Sequence, residues 1–439
     1  MPFSACQRLV ALLTLGFIIG FGRIPTAAAQ GNLIDTAKEA IKWLNLSGSV
    51  RADYFSSSRD LDERDHLAGL ALYLKTAPQL GSHVSASFEG WIRNSGLFNG
   101  SATQGKLREG YLDLSIEPMD FRLGKQLIVW GRADRINPTD NLTPRDFTLL
   151  VPEDDDQRLG APAVKATLHI SDIAISAIWL PVFRPHRLPF AREPGTFLRE
   201  IVPATTWDNG QGALRLEETG RAIDWSISYF NGFDPYPDLG FGGLFTNPNG
   251  VPTVQVLLRH HRFQVVGADA ATTLGRFGFR GEMAYAVTQD RDGDNPEFKN
   301  PYLFMVLGVD RTFFEYLNIN IQYLFRHVTN FQDPEKIQDP IRRPIAIQQG
   351  IVANQLNRFQ HGASVRISQK WLNETLETEV AGVYGFTRRD YVIRPKAVYD
   401  FTDRIRGTVG ADFFGGPKKS FFGRIKDTST AYVELKFSF

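Results

Sequence analysis

The 439-residue chain carries 49 basic and 48 acidic side chains and 43% hydrophobic residues, so no charge excess points to nucleic acid. Its single cysteine, Cys6, lies within the first thirty residues, which excludes a disulfide framework and a thiol nucleophile from everything that follows. Beyond those residues no run of about 18 apolar side chains occurs, so any membrane span must be made of strands.

Residues 1–30 read as a secretory signal: Arg8, an apolar run from Leu9 to Phe21, and Ala27-Ala28-Ala29 as a small-residue cleavage site. Losing Arg8 and Arg23 takes the 49 basic residues to 47, against 48 acidic. In 31–44, Leu33, Ala37, Ile41 and Leu44 stand at helical spacing. They predict a short amphipathic helix at the periplasmic mouth or in the lumen, the alternative being a frayed linker.

From 45 to 439 the pattern is alternation. Leu46, Gly48, Val50, Ala52 and Tyr54 oppose Ser47, Ser49, Arg51 and Asp53. Strands are predicted near 45–57, 65–76, 81–93, 106–117, 120–131, 161–170, 172–181, 208–218, 221–231, 260–272, 276–288, 300–313, 316–328, 357–368, 374–387, 390–401, 403–414 and 429–439. That makes eighteen, an even number as in single-chain bacterial barrels. Connections after odd-numbered strands are mostly long, and those after even-numbered strands are tight, such as Glu117-Pro118-Met119 and Ser171-Asp172. The predicted fold class is therefore all-β, a transmembrane antiparallel β-barrel of about 18 strands with short periplasmic turns and long external loops. Two strands resist the pattern. Lys125 falls on the outward parity of Phe121, Leu123 and Leu127, which requires a bulge beside Gly124 or a different register. Residues 260–272, with Asp269 among alanines, lack a clear phase.

In the last strand Ala431, Val433, Leu435, Phe437 and Phe439 alternate with polar residues, which makes Phe439 the expected contact for the barrel-assembly machinery. Arg326, Arg358, Arg366, Arg394, Lys396, Arg404 and Arg406 come from neighbouring C-terminal strands, with Glu377, Glu379, Asp400 and Asp412 as counterweight. Such a stripe either lines a pore and orients anions or forms a salt-bridged wall without selectivity. Residues 132–160, with Arg132, Asp134, Arg135, Asp140, Arg145 and Asp146, are long enough to fold inward as a constriction, the alternative being a loop over the outer surface. Two acidic clusters, Glu153 to Asp156 and Asp290, Asp292, Asp294 with Glu297, have the oxygen-rich character that calcium takes. Both also suit a solvated loop. No Gly-x-Ser-x-Gly or His-Glu-x-x-His occurs, so neither an enzymatic activity nor a cofactor is expected.

Gly124-Lys125-Gln126 with Trp130-Gly131, the Asn137-Pro138 loop, and Gly410-Ala411-Asp412-Phe413-Phe414-Gly415 leading to Phe422-Gly423 and Phe439 resemble the outer-membrane family catalogued as domain of unknown function 1302. That family usually shows arginine at the position of Lys125. A looser resemblance is to alginate-export porins, which implies an arginine-lined pore. The expectation is a monomeric channel in the Gram-negative outer membrane, with lipid around it, that passes a small or chain-like, anionic or amphiphilic solute. The alternative is a barrel enzyme, or a structural or assembly barrel plugged by its own helix and loops.

Overall fold

In the computed structural model, which describes residues 43–57, 65–97, 103–190, 193–220 and 222–439, the alternating segments close into one antiparallel barrel. The predicted signal lies outside the described residues. So does the helix predicted over 31–44, apart from Trp43 and Leu44, which are helical.

The wall comprises β1 (Ser47–Ser57), β2 (Asp65–Thr76), β3 (Val84–Asn94), β4 (Thr103–Ile116), β5 (Met119–Gln126), β6 (Ala161–Ile170) and β7 (Ile173–Leu180). Then come β9 (Gln211–Glu218), β10 (Ile223–Phe233), β13 (Arg262–Leu274), β14 (Phe277–Val287), β15 (Tyr302–Phe313) and β16 (Leu317–Val328). It ends with β17 (Phe359–Trp371), β18 (Leu376–Gly385), β19 (Asp390–Asp400), β20 (Ile405–Gly415) and β21 (Thr430–Ser438). These eighteen strands form one sheet in chain order, and β21 returns to pair with β1. At that seam the Phe439 N–H donates to the Gly48 carbonyl and the Gly48 N–H to the Phe439 carbonyl, each at 3.0 Å. Closure leaves no unpaired edge for hydrocarbon to penalise.

The outward face is the apolar one. On β21, Val433, Leu435 and Phe437 are about half exposed while Tyr432 and Glu434 are buried in the interior, the arrangement of a wall between lipid and a polar lumen. Phe314, Trp371, Phe401 and Phe439 stand exposed at the end with tight turns, and Tyr285, Phe359, Phe386 and Tyr391 at the other. These are two aromatic girdles at the membrane interfaces. The protein is thus an outer-membrane barrel.

Both irregular strands have physical causes. The register of β5 against β4 and β6 runs unbroken through Gly110↔Lys125 and Lys125↔Pro162, so no bulge turns Lys125 inward. The register shift lies instead on the neighbouring pair, between Glu89 and Gly90 opposite β4, and the carbonyl of Leu107 accepts a hydrogen bond from the Lys125 ammonium. Strand β13 lacks a phase because both its faces meet apolar matter. Val266 is outward and exposed, while Phe263 and Val265 are buried in a cluster inside the barrel.

The external loops are more structured than their sequences suggest. β8 (Thr196–Ile201), β11 (Asp238–Thr246) and β12 (Pro252–Arg259) form a separate sheet, with β8 parallel to β12. The helix α1 (Arg342–Val352) packs Ile345 on Leu239, Val256 and Leu258 of that sheet. The alternating Val254, Val256 and Leu258 and the turn Asn247-Pro248-Asn249-Gly250 were the available signals.

Candidate functional site in the barrel lumen

The fifth predicted strand ends early. β5 stops at Gln126, and Leu127 to Gly131 leave the wall, with the Leu127 N–H donating to Glu109 Oε1 at 2.7 Å. Ile128, Trp130 and Leu142 then pack among inward side chains of β6, β7, β9, β10, β13 and β14, including Ile178, Leu180, Phe230 and Phe263. Gly131 has φ +98°, and a Cβ there would meet both Glu282 carboxylate oxygens at 2.5 Å, so only glycine fits.

Glu282 of β14 is the anchor of this turn. Its carboxylate accepts from the backbone N–H groups of Arg132 and Ala133 (both 3.1 Å) and Thr139 (2.8 Å). It also accepts from Asn137 Nδ2 (3.0 Å) and Thr139 Oγ1 (2.8 Å). Arg280, on the same strand, pairs with Asp310 at 3.2 Å and leaves Glu282 to the loop. Arg132 reaches Asp269, which gives that buried carboxylate a counterion.

Past this anchor the loop crosses to the other wall. The Asp134 N–H donates to Gln322 Oε1 at 2.9 Å, and its carboxylate accepts from Arg366 Nε at 2.7 Å. Arg135 donates to both Glu379 oxygens, at 2.8 and 3.0 Å. Further along, Glu153 meets Lys396 at 3.0 Å, and Asp154 takes Arg394 at 2.8 Å on both oxygens while Asp412 holds Arg394 Nε at 2.7 Å. Asp156 meets Arg51 at 2.5 Å. The Leu150 carbonyl accepts from Arg93, which is itself paired with Asp53. Asp146 pairs with Lys106, and Asp140 gathers Arg158 and Arg145 within the loop. Burial alone would raise the Asp154 carboxyl, but Arg394 and the nearby Arg135 and Arg145 hold its pKa below the ordinary carboxylate value.

At the outer end the loop joins the other external loops. The Arg145 N–H donates to His186 Nδ1 at 2.8 Å, and His186 lies edge-on to Tyr236 with ring centres 4.4 Å apart. Burial, with Arg145 and Lys299 nearby, pushes the His186 pKa well down, so it is neutral and accepts. Burial pushes the Tyr236 phenol up to about 12.

The family model described as "Protein of unknown function (DUF1302)" matches residues 99–439, most of the chain. The chain belongs to that family. No curated protein matches the sequence. The structure of Pseudomonas aeruginosa OpdK, solved with vanillate, is similar at TM-score 0.55 and 8% identity over 90% of this chain and 98% of that one. OccK5 (OpdH) of the same organism gives 0.53 and 9% over 90% and 98%. Its OccD3 (OpdP) gives 0.50 and 11% over 90% of each. At these identities the likeness is one of fold.

In this DUF1302 barrel the residues singled out from sequence divide into two groups. Arg366, Glu379, Arg394, Lys396 and Asp412 come together with Asp134 and Arg135 of the loop, as described, while Arg132 stays at the root beside Asp269. The rest lie elsewhere. Arg326 is sandwiched over Tyr302 and Phe304 and donates to the carbonyl of Ala353 beside α1. Arg358 is exposed just before β17 and Arg404 is exposed in a periplasmic turn. Arg406 pairs with Asp400 at 2.6 Å, and Glu377 is half-buried near the same end of the wall. The four carboxylates weighed for calcium do not converge. Asp290 accepts from the N–H groups of Gly293 and Asn295, and Glu297 turns to Phe241 N–H and Arg259. Among the described residues no three His, Cys, Asp or Glu side chains are grouped to hold a metal. Glu153, Asp154 and Asp156 serve wall cations instead, and Asp155 pairs with Arg158 of the loop. Glu282, Gln322 and that run were missed as lumen contacts, because nothing local in sequence says which wall residues a loop will reach.

Proposed function

We propose that the protein is a porin-like passive channel of the outer membrane, constricted by the loop of residues 127–160, for small solutes that carry carboxylates. The observation that carries this is the loop's course. It is rooted on one wall at Glu282 and bonded on the opposite wall at Arg366, Arg394, Lys396 and Arg51, so a solute in the lumen must pass beside those cations. A carboxylate there meets guanidinium groups that bind it in fork geometry. No covalent step is required. A barrel plugged outright is the rival reading, and the same anchoring on both walls favours it.

Swelling of liposomes that contain the purified protein separates the two. Succinate should enter faster than a neutral solute of similar size. No entry of either solute would make the barrel a plug, and equal rates would remove the carboxylate preference.

A further inference from the structure

The wall cations opposite the loop root are not balanced by the wall. Arg108 and Arg406 find carboxylates on adjacent strands, in Glu89 and Asp400, and Arg93 of β3 reaches across β2 to Asp53 of β1. Among the described residues Arg51 makes no ion pair within the wall, because Asp53 is taken by Arg93 and Glu434 of β21 lies nearby without touching it, and it pairs with Asp156 of the loop. Lys396 has Glu379 only at 4.0 Å and meets Glu153 at 3.0 Å. Arg394 has Asp412 on one edge and offers its other edge to both oxygens of Asp154.

Three carboxylates from one short turn, Asp154–Gln157 with Glu153 before it, thus fill sites on β1 and β19 that the barrel leaves open. That turn buries no residue of its own, and the Glu153 side chain is 56% exposed, so the turn itself is held by ion pairs and by the Arg108 hydrogen bond to the Asp155 carbonyl, while Leu150 before it packs on Phe55, Leu67 and Tyr432. The loop root, by contrast, is packed through Ile128, Trp130 and Leu142. The tip can therefore leave the wall while the root stays.

We infer that Arg51, Arg394 and Lys396 form a binding site for a solute with two or three carboxylates, which the loop's own Glu153, Asp154 and Asp156 occupy as a displaceable internal ligand. The inference rests on the carboxylate-channel reading and names the site within it. At rest five cations, Arg51, Arg135, Arg366, Arg394 and Lys396, face six anions, Asp134, Glu153, Asp154, Asp156, Glu379 and Asp412. A polycarboxylate that replaces the tip restores the same balance, whereas a neutral solute leaves the wall cations bare.

The test is citrate binding to the full chain in detergent by titration calorimetry, alongside conductance in planar bilayers. A site that its own ligand fills most of the time binds a competitor more weakly by the fraction of time it is free. The variant Glu153→Gln/Asp154→Asn/Asp156→Asn should therefore bind citrate about tenfold more tightly than the parent. Adding Arg51→Gln and Lys396→Gln should abolish the gain. Affinity within about twofold of the parent, or a gain that survives the wall changes, would overturn the site. Heat-modifiable migration verifies that each variant is folded. If the triple variant is not, Asp156→Asn with and without Arg51→Gln asks the same question at one position. Citrate binding that behaves as expected in a protein that never conducts overturns the channel reading alone. Conductance with flat citrate binding overturns the site alone.

Discussion

Between β6 and β14 the loop of residues 127–160 is held by packing, with Ile128 and Trp130 each 5% exposed among wall side chains. Between β16 and β4 it is held mainly by ion pairs, several of whose members keep partial access to water, such as Arg135 at 38% and Asp154 at 33%, with Leu150 packed on a wall cluster of Phe55, Leu67 and Tyr432. Buried apolar contacts are indifferent to salt and leave a void when cut back. Partly exposed pairs are each worth about 1 kcal/mol or less and weaken as the Debye length shrinks from about 8 Å at physiological salt to about 3 Å at 1 M. One loop therefore has a fixed end and a releasable end.

The largest expected effect is at the fixed end. Glu282→Ala removes the acceptor of five loop hydrogen bonds, and at about 1–3 kcal/mol for each donor left buried and unpaired the loss is on the order of 5 kcal/mol. Heat-modifiability should be lost at a clearly lower temperature, with Glu282→Gln intermediate because it keeps one acceptor oxygen. An unchanged transition would mean that the root is held elsewhere. Trp130→Ala should cost roughly 3–5 kcal/mol through the cavity it leaves. That cost should be the same in about 0.1 M and 1 M salt.

At the releasable end Arg366→Gln should cost roughly 1 kcal/mol, more at low salt. Its coupling to Asp134→Asn in a double-mutant cycle should vanish at 1 M. A coupling that ignores salt would make the two sides alike and erase the comparison.

The smallest effect is one of pH. Folding favours the ionised form of Asp154, so its contribution is whole above the unfolded carboxylate value near 3.9 and is lost only as pH falls through its lower folded value. His186 is a base held neutral. Its contribution is whole above about 6.5 and is lost progressively as pH falls below that, because the unfolded state then binds the extra proton. Acidification from pH 7 to 5 should thus loosen the junction at His186 and leave the tip bonded. Hydrogen exchange, corrected for its intrinsic rate, should quicken at the Arg145 amide, which donates to His186, and not at the Asp156 amide, which donates to Glu153. The opposite order would reverse the assignment.

The wall was legible because lipid on one side and water on the other impose a period of two, as on β21. It ceased to be legible where that rule lapses. β13 meets packed side chains within the barrel, and Leu127 to Gly131 continue an outward-looking alternation after the chain has left the wall. The lumen was harder still. The stripe of arginines was visible, but Arg404 belongs to a turn and Arg326 of β16 is spent on the Ala353 carbonyl beside α1. Residues that contact the loop were recoverable only from three-dimensional proximity, since Asp154 and Arg394 stand 240 positions apart.

That separation also fixes an order of events. Wall strands joined by periplasmic turns meet through hairpins a few residues long, whereas Asp134 waits for Arg366, 232 positions later, and Arg135 for Glu379, 244 later. Chain-distant contacts are slow to form because closing the intervening chain costs entropy first. The crossing segment cannot dock until β17 to β19 stand in place, so assembly passes through a wall whose lumen is still hollow. In that intermediate the acidic turn is solvated and the guanidinium groups of Arg51 and Arg394 lack their loop carboxylates. Docking of the loop therefore follows the formation of those strands, and an abundant polyanion in the periplasm would slow it.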